Sequence, residues 1–231
     1  MRMRKIDKSQ ILSTAYQSWL RQLDKKTHPK YSAAHKYYKD VLVSLLFCQQ
    51  GLCAYTEILI AEKERCRPDN FDDAGRYIER EKPESSFSAQ LDHFDSCLKE
   101  KYGWRWENFF AISDKINTEK GTQAVDEILK PDSPDYDPYK FLSYNDKRHL
   151  FHANIDIEDE RLVERIEQMI VVLGLNQGTI KDNRRAYLEP KKKSLSLGKE
   201  IEPVYQFVTA FEMIQKQLLN RRSFRDSEGL A

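Results

Sequence analysis

The amino-acid sequence predicts an α+β fold that is mostly helical. Apolar residues recur at three- and four-residue steps near both ends of the chain, as they do on one face of a helix. The centre is mixed and loop-rich, and it carries a short candidate strand. With 40% hydrophobic and 11% aromatic residues, the chain is too apolar to be disordered. We expect an N-terminal helical segment (1–50), a central core (51–130) and a C-terminal helical region with a basic tail (131–231).

Two helices are predicted in the N-terminal segment. Asp7 or Ser9 could cap the first, whose apolar residues repeat with helical spacing. A break at 27–29, which ends in a proline, separates it from a second helix over about 32–50. Gly51 follows at the position where a left-handed C-terminal cap would lie.

Loops and short strands are predicted between the helical regions. The polar segment 66–88 indicates a surface loop or a short helical excursion, and 88–91 indicates a short strand. The segment 131–138 holds three prolines, which exclude regular structure and predict a loop. Residues 141–155 alternate irregularly and could hold a pair of strands.

The C-terminal region predicts two further helices, one over 158–173 that ends at Gly174 and one over 200–219. Three consecutive lysines at 191–193 are expected to lie between these helices. Such a run is either a solvated loop or a contact for nucleic acid. The basic tail from Asn220 onward is expected to fray.

The charge and the apolar runs of the chain exclude several classes of protein. Lys+Arg is 38 and Asp+Glu is 37, so the net charge of +1 excludes a protein that coats nucleic acid by bulk charge. The longest apolar run, 41–48, is far shorter than the roughly 20 residues of a membrane span. The start of the chain has no apolar signal segment, and four cysteines are too few for a disulfide framework. We therefore expect a cytoplasmic protein that makes no membrane contact.

Residue types that carry hydrolytic chemistry are concentrated in the centre. Asp92 and His93 place a carboxylate beside an imidazole at the end of the candidate strand. Asn108 is the third residue of the run Trp-Glu-Asn that begins at Trp106. Asn117 lies within 113–121, and a short amphipathic helix with Ala124, Ile128 and Leu129 is predicted to follow. These residues can bind a metal ion, move a proton or fix a loop.

This order of elements resembles the HNH, or ββα-metal, nuclease core. It is most similar to the small HNH endonucleases of Septu-type and retron-linked anti-phage defence operons, in which a Cys-Ala-Tyr-Cys-Glu element precedes the Asp-His pair. Here that element reads Cys-Ala-Tyr-Thr-Glu over 53–57, and weaker similarity runs through 173–176 to 184–185. The resemblance implies a small ββα-metal core framed by helices and a metal-dependent endonuclease that hydrolyses phosphodiester bonds.

The resemblance also implies a role for each residue of the motif. His93 would be the general base, since an unperturbed imidazole has a substantial neutral fraction near pH 7. Asp92 and Asn117 would bind the metal through oxygen atoms, and all-oxygen ligation favours Mg²⁺ or Mn²⁺. Asn108 belongs to the catalytic set and would fix the loop beside His93 rather than touch the substrate.

Relatives of this type carry a structural zinc held by two Cys-x-x-Cys pairs. Here only Cys53 is present, and Thr56, Ser113 and Ile116 stand at the other three positions. We therefore predict that the structural zinc is absent and that aromatic residues at 104, 106, 109 and 110 hold the core by packing. A rearranged site among the four cysteines is the alternative, although no close ligand spacing supports it.

Each of these residues also has a purely structural interpretation. Asn117 could cap the helix that follows it, Asn108 could be a turn residue, and Asp92 could be a loop or cap carboxylate. Lys115 and Lys120 are the two lysines of the motif that could contact phosphate.

The resemblance implies partners and leaves three functional hypotheses. An ABC-type ATPase subunit would gate the nuclease, and a retron-linked version would add a reverse transcriptase and its RNA–DNA product. The leading hypothesis is an endonuclease that acts on DNA as the effector of an anti-phage complex. The second is the same chemistry on RNA, such as tRNA. The third, motivated by the lost cysteines, is a degenerate nuclease that serves as an interaction module.

Overall fold

Helices make up most of the regular structure, and the strands form two small antiparallel sheets. The computed structural model describes residues 5–23, 27–78 and 87–228, and it has the mostly helical α+β fold that the sequence predicts. The elements in chain order are α1 (Thr14–Leu23), α2 (Tyr38–Cys48), β1 (Gln90–His93), α3 (Lys99–Tyr102), β2 (Phe109–Ile112), α4 (Asp114–Lys120), α5 (Pro138–Phe141), β3 (Leu142–Asn145), β4 (Leu150–Ala153), α6 (Glu160–Val172), α7 (Gly178–Ser196) and α8 (Val208–Glu228).

The first sheet pairs β1 with β2 and is followed directly by α4. The strands run antiparallel, with His93 opposite Phe109. Ser113 caps α4, because its side chain accepts a hydrogen bond from the backbone N–H of Ile116. Helix α4 packs against β1, and α2 packs against both strands. This strand–strand–helix unit fixes the positions of the motif residues.

The second sheet is a hairpin of β3 and β4 that the C-terminal helices enclose. Helix α6 packs against β4, α8 against β3, and α7 against α8. In the turn of the hairpin, Nε2 of the buried His149 lies 2.8 Å from Oε1 of Glu189, and its Nδ1 lies 2.8 Å from the Tyr144 hydroxyl. These contacts attach α7 to the hairpin.

Aromatic side chains fill the space between the first sheet and the N-terminal helices. Trp104, Trp106, Phe109 and Phe110, which were predicted to pack in the core, are all buried. The rings of Trp104 and Phe109 meet edge to face with their centroids 6.0 Å apart. The hydroxyl of Tyr16 donates to the carbonyl of Trp104 at 2.7 Å, so α1 is anchored to this cluster.

Several predicted boundaries are confirmed. Gly51 has a φ of +76° directly after the turn that ends α2, and Gly174 has a φ of +66° after α6. The strand pair predicted within 141–155 is β3 and β4. The segment 131–138 is a loop up to its last residue, Pro138, which begins α5.

The start of α1 differs from the prediction. The helix begins at Thr14, and the Ser13 hydroxyl rather than Asp7 or Ser9 accepts a hydrogen bond from its first turn, from the Tyr16 N–H at 3.0 Å. Serine is as good a cap as aspartate, so the choice among three nearby candidates depends on tertiary contacts. The Ser13 hydroxyl also donates to the carbonyl of Gly75 at 2.7 Å.

Four other elements begin later than predicted, among them α6, which begins at Glu160 rather than 158. Helix α2 begins at Tyr38 rather than near 32, and β1 covers 90–93 rather than 88–91. Helix α8 begins at Val208 rather than 200, because Phe207 before it has a left-handed φ of +53° that no helix can contain.

The prediction that 191–193 lies between helices is wrong, because these lysines are inside α7. Ile180, Arg184 and Leu188 form its buried stripe at four-residue steps. The middle residue of this stripe is charged, so the apolar periodicity was too weak to predict the helix. The basic tail is also helical rather than frayed in its backbone, since α8 continues to Glu228.

The polar segment 66–88 is described only in part. It contains a short 3₁₀ turn over Pro68–Asn70 and an isolated bridge between Phe71 and Tyr77. Residues 79–86 of this prediction lie outside the described residues. Among the helices that the structure describes, none is both long and apolar enough to cross a membrane.

Candidate active site

A cleft beside the first sheet brings three of the predicted site residues together. Its volume is about 340 Å³, and Asp92, His93 and Asn117 all line it. Strand β1 supplies the Asp-His pair, and α4, which packs against β1, supplies Asn117. Tyr31 and Lys99 also line the cleft, although the sequence pattern does not single them out.

Asp92 is nearly buried and receives a donor on each carboxylate oxygen. Its side chain is 4% exposed. Oδ2 accepts a hydrogen bond from the Tyr55 hydroxyl at 2.5 Å, and Oδ1 accepts one from Nζ of Lys120 at 3.1 Å. Burial raises the pKa of Asp92, while the charge of Lys120 and the hydrogen bond from Tyr55 oppose that rise. The carboxylate is therefore held in one orientation by two buried partners.

Lys120 does not fit its predicted role as a phosphate contact. Its side chain is 0% exposed, and Nζ also donates to the carbonyl of His93 at 2.9 Å. A buried ammonium with these two partners cannot reach a phosphate outside the protein. A phosphate contact was predicted for Lys120, and its burial could not be, because lysine is almost never fully buried unless it is paired. In the structure, Lys120 balances the charge of Asp92.

His93 is neutral, and its environment fixes which ring nitrogen carries the proton. The ring packs against those of Tyr31 and Phe109, each with its centroid 4.6 Å away. Nε2 lies 2.9 Å from the carbonyl oxygen of Gly103, which can only accept, so Nε2 carries the proton. Burial lowers the pKa of His93 to about 4, and the hydrogen bond to Gly103 opposes that change. Nδ1 is thus the nitrogen left to accept a proton.

Asn108 clamps the chain directly after His93. Its Oδ1 accepts from the N–H of Asp95 at 2.8 Å, and its Nδ2 donates to the carbonyl of Asp95 at 2.9 Å. Its own carbonyl accepts from the N–H of Phe94 at 2.8 Å. Asn108 does not line the cleft that holds Asp92 and His93. It acts on the site through the backbone, as a positioning residue.

Asn117 lies inside α4 rather than at its cap. The helix predicted to follow it through Ala124, Ile128 and Leu129 is wrong, because α4 ends at Lys120, Gly121 has a left-handed φ of +52°, and a 3₁₀ turn covers Glu127–Leu129. Ser113 is the cap, so the structural interpretation of Asn117 as a capping residue is wrong. Nδ2 of Asn117 donates to Oε1 of Gln90 on β1 at 2.9 Å. The amide nitrogen of Asn117 thus bonds to β1, whereas its amide oxygen does not.

Lys115 lies at the junction of α4 and α7. Its Nζ donates to the hydroxyl of Thr179 at 3.0 Å, and the side chain does not line the cleft. The structure therefore separates Lys115 from the other predicted site residues. The exposed cation that does line the cleft is Lys99, the first residue of α3.

The loop 53–57 connects the site to the C-terminal helices. Glu57 has a left-handed φ of +58°, and its carboxylate accepts from the backbone N–H of Thr209 at 2.9 Å and from the Thr209 hydroxyl at 2.6 Å. Its carbonyl accepts from the N–H of Phe207 at 3.1 Å. Tyr55, in the same loop, donates to Asp92. The resemblance of 53–57 to the family element was a signal for Tyr55, whereas nothing in the sequence marks Lys99.

The positions of the family's zinc ligands hold other contacts here. Cys53 and Ile116 are buried, and Ser113 caps α4. Ile116 packs against Gly174, where a Cβ atom would lie only 2.6 Å from Cδ1 of Ile116. A close apolar contact therefore occupies the position in α4 where the resemblance would place a cysteine.

Asp92 and Asn117 are the residues that could hold a divalent cation. A carboxylate and an amide oxygen suit Mg²⁺, which commonly binds one or two protein groups and keeps several waters. Each oxygen of Asp92 accepts one donor, and a carboxylate oxygen has a further lone pair to offer. The donor types therefore fit Mg²⁺ or Mn²⁺, although the nearby charge of Lys120 opposes a second cation.

Comparison with known proteins adds no assignment. The chain matches no protein-family model and no curated protein. The chemistry available to the site is that of its own residues, the imidazole of His93, the anchored carboxylate of Asp92 and the amide of Asn117 around one cleft.

Proposed function

We propose that this chain is an HNH endonuclease that hydrolyses phosphodiester bonds in a metal-dependent reaction. The observation that carries the proposal is the cleft of about 340 Å³ in which β1 and α4 present Asp92, His93 and Asn117 together. The order strand, strand, helix around these residues is consistent with a ββα-metal core. Following the resemblance, the enzyme would act in the cytoplasm as the effector of a bacterial anti-phage complex.

His93 is the general base in this mechanism. Its hydrogen bond to Gly103 places the proton on Nε2, so Nδ1 can take a proton from a water molecule. Burial lowers the pKa of His93, so the ring is neutral and able to accept a proton at pH 7, but the same shift makes it a weaker base than an unperturbed imidazole. General base catalysis of this kind contributes about 10²–10⁴-fold to a rate.

The other residues orient the reacting groups. A Mg²⁺ or Mn²⁺ ion held by oxygens of Asp92 and Asn117 would supply Lewis-acid stabilisation of the phosphate and of the leaving oxygen. Tyr55 and Lys120 hold the Asp92 carboxylate in place from two sides. Asn108 fixes the backbone at 94–95 and thereby the end of β1.

The substrate and partners follow from the resemblance and from charge. DNA is the leading substrate, and RNA such as tRNA is the alternative, because hydrolysis by an activated water does not require or exclude a 2′ hydroxyl. A net charge of +1 indicates weak affinity of the isolated chain for nucleic acid. This supports a gating partner, an ABC-type ATPase subunit, with a retron reverse transcriptase and its RNA–DNA product in a retron-linked system.

A degenerate nuclease that serves as an interaction module is the second candidate. The observation that favours it is the buried pair of Lys120 and Asp92, because a resident ammonium already neutralises the carboxylate that would bind the metal. The position of His93 beside Asp92 and Asn117 in one cleft favours the enzyme.

Cleavage assays decide between these candidates. Wild type, His93→Ala and His152→Ala, each alone and with the operon neighbours, are incubated with Mg²⁺, Mn²⁺ or EDTA on plasmid, single-stranded DNA and total tRNA. His152 is an exposed histidine on β4 and serves as the matched control. We expect metal-dependent cleavage that His93→Ala lowers by about 10²-fold or more and His152→Ala leaves unchanged. No cleavage under any of these conditions, or equal cleavage by His93→Ala, would reject the nuclease mechanism.

A further inference from the structure

Neither lysine of the motif, Lys115 or Lys120, supplies the cleft with the phosphate contact that a nuclease needs. Lys120 is buried against Asp92, and Lys115 donates to Thr179 outside the cleft. Among the described residues that line the cleft, the remaining lysine is Lys99. It comes from α3, an element that the sequence motif does not include.

Lys99 is held close to the reacting groups without being neutralised. Its Nζ lies 5.1 Å from the centroid of the Tyr31 ring, and the Tyr31 ring lies 4.6 Å from that of His93. A cation over the face of a tyrosine ring gains about 0.5–1 kcal/mol at an exposed site. No ion pair joins Lys99 to any carboxylate that the structure describes.

We propose that Lys99 binds a phosphate group of the nucleic-acid substrate in the cleft beside His93. An ammonium on a flexible stem is a point charge that suits phosphate oxygens, and the Tyr31 ring keeps it on the side of the cleft where His93 lies. The ligand class is the phosphodiester backbone, which DNA and RNA share. This proposal rests on the proposed function, because it names the group that positions the substrate of that site.

Binding measurements in EDTA test this proposal apart from catalysis. The probes are a short fluorescein-labelled single-stranded DNA and the RNA of matched sequence, followed by fluorescence anisotropy at low salt. The variants are Lys99→Ala, Lys99→Arg and the matched control Lys101→Ala. Lys101 lies on the same helix, is exposed, and has its Nζ 4.9 Å from the centroid of the Tyr102 ring. Both alanine variants therefore remove one exposed charge and one cation–π contact.

We expect Lys99→Ala to raise the Kd about three- to tenfold and to lower the salt slope by about 0.7 for a single strand. Lys101→Ala should change the Kd less than twofold, and Lys99→Arg should retain most of the affinity. If Lys99→Ala weakens the binding of DNA and of RNA equally, the ligand of Lys99 is the backbone phosphate that both share. If it weakens the binding of one only, that nucleic acid supplies the phosphate.

Equal effects of Lys99→Ala and Lys101→Ala, or no binding of either probe by the wild type, would overturn the proposal. The outcome is separable from the proposed function. Binding that depends on Lys99 without cleavage in any metal would retain the phosphate contact and reject the nuclease. Metal-dependent cleavage with an unchanged KM and kcat in Lys99→Ala would retain the nuclease and reject the phosphate contact.

Discussion

The Tyr55 hydroxyl lies 2.5 Å from Oδ2 of Asp92, and this bond joins two segments that are 37 residues apart in the chain. Tyr55 is buried in the loop 53–57, and Asp92 is in β1. Burial raises the pKa of Tyr55, and the nearby charge of Asp92 raises it further, so the hydroxyl keeps its proton and remains a donor. The loop and the strand therefore support each other at the centre of the candidate site.

Tyr55→Phe is expected to destabilise the protein by about 1–3 kcal/mol, because it leaves one oxygen of a buried carboxylate without its donor. Urea unfolding followed by circular dichroism measures the free energy of unfolding. Tyr205→Phe is the control, since Tyr205 is 51% exposed and its hydroxyl bonds to the uncharged side chain of Tyr187, so its loss should cost much less. Equal stability of Tyr55→Phe and the wild type would show that the bond to Asp92 contributes nothing.

Lys120→Met is expected to lower the free energy of unfolding by about 3–5 kcal/mol, because it strands the Asp92 carboxylate without a counter-charge. The double variant Asp92→Asn with Lys120→Met should recover part of that loss, since an amide carries no charge. A double-mutant cycle in urea gives the coupling between the two residues. Additive effects of the two single changes would contradict a functional pairing of Lys120 with Asp92.

Part of the site could be predicted from the sequence because its residues lie in local motifs. Asp92 and His93 are adjacent, and Asn117 follows β2 within one short helix, so spacing alone brings these side chains near each other. The partners of Asp92 could not be predicted in this way. Tyr55 reaches it from a distant loop, and Lys120 belongs to a residue type that is almost always exposed.

The same physical limits apply to the fold. The ends of α2 and α6 could be predicted because glycines with positive φ follow both helices. The extent of α7 could not, because the buried Arg184 interrupts its apolar stripe. Its Nη1 donates to the carbonyl of Leu175 at 2.9 Å and its Nη2 to that of His149 at 2.7 Å. Only tertiary contacts of this kind make a buried charge acceptable.

The free energy of unfolding is expected to decrease as the pH is lowered from 6.5, because of His93. Its pKa is about 4 in the folded protein and 6.5 in an unperturbed chain. Between these values the unfolded chain binds a proton that the folded protein does not bind, so stability is complete above pH 6.5 and decreases as the pH falls toward 4. The decrease amounts to about 3 kcal/mol.

Unfolding measured by urea at several values between pH 4 and 7 checks this dependence. His93→Gln should remove much of the slope, because glutamine does not titrate, whereas His152→Gln, a change of an exposed histidine, should retain it. An unchanged slope in His93→Gln would assign the pH dependence to other groups.

Gly174→Ala is expected to be more destabilising than Gly198→Ala, although both glycines have a similar left-handed φ of +66° and +69°. Each alanine would be strained by about 1–2 kcal/mol in this conformation. At Gly198 the new Cβ has no neighbour within 4 Å, whereas at Gly174 it would lie 2.6 Å from Cδ1 of Ile116. Overpacking at this contact should add about 1–3 kcal/mol. The difference between the two variants in urea unfolding isolates the contact between α4 and the end of α6.

Ile116→Val tests the same contact from the other side, because it removes the Cδ1 methyl group. Combined with Gly174→Ala, it should recover part of the lost stability, while it should leave Gly198→Ala unchanged. Recovery confined to the Gly174 variant would establish that Ile116 stabilises α4 by packing against the end of α6. Equal destabilisation by Gly174→Ala and Gly198→Ala would instead mean that α4 can shift without cost, and that this contact does not hold Asn117 in register with β1.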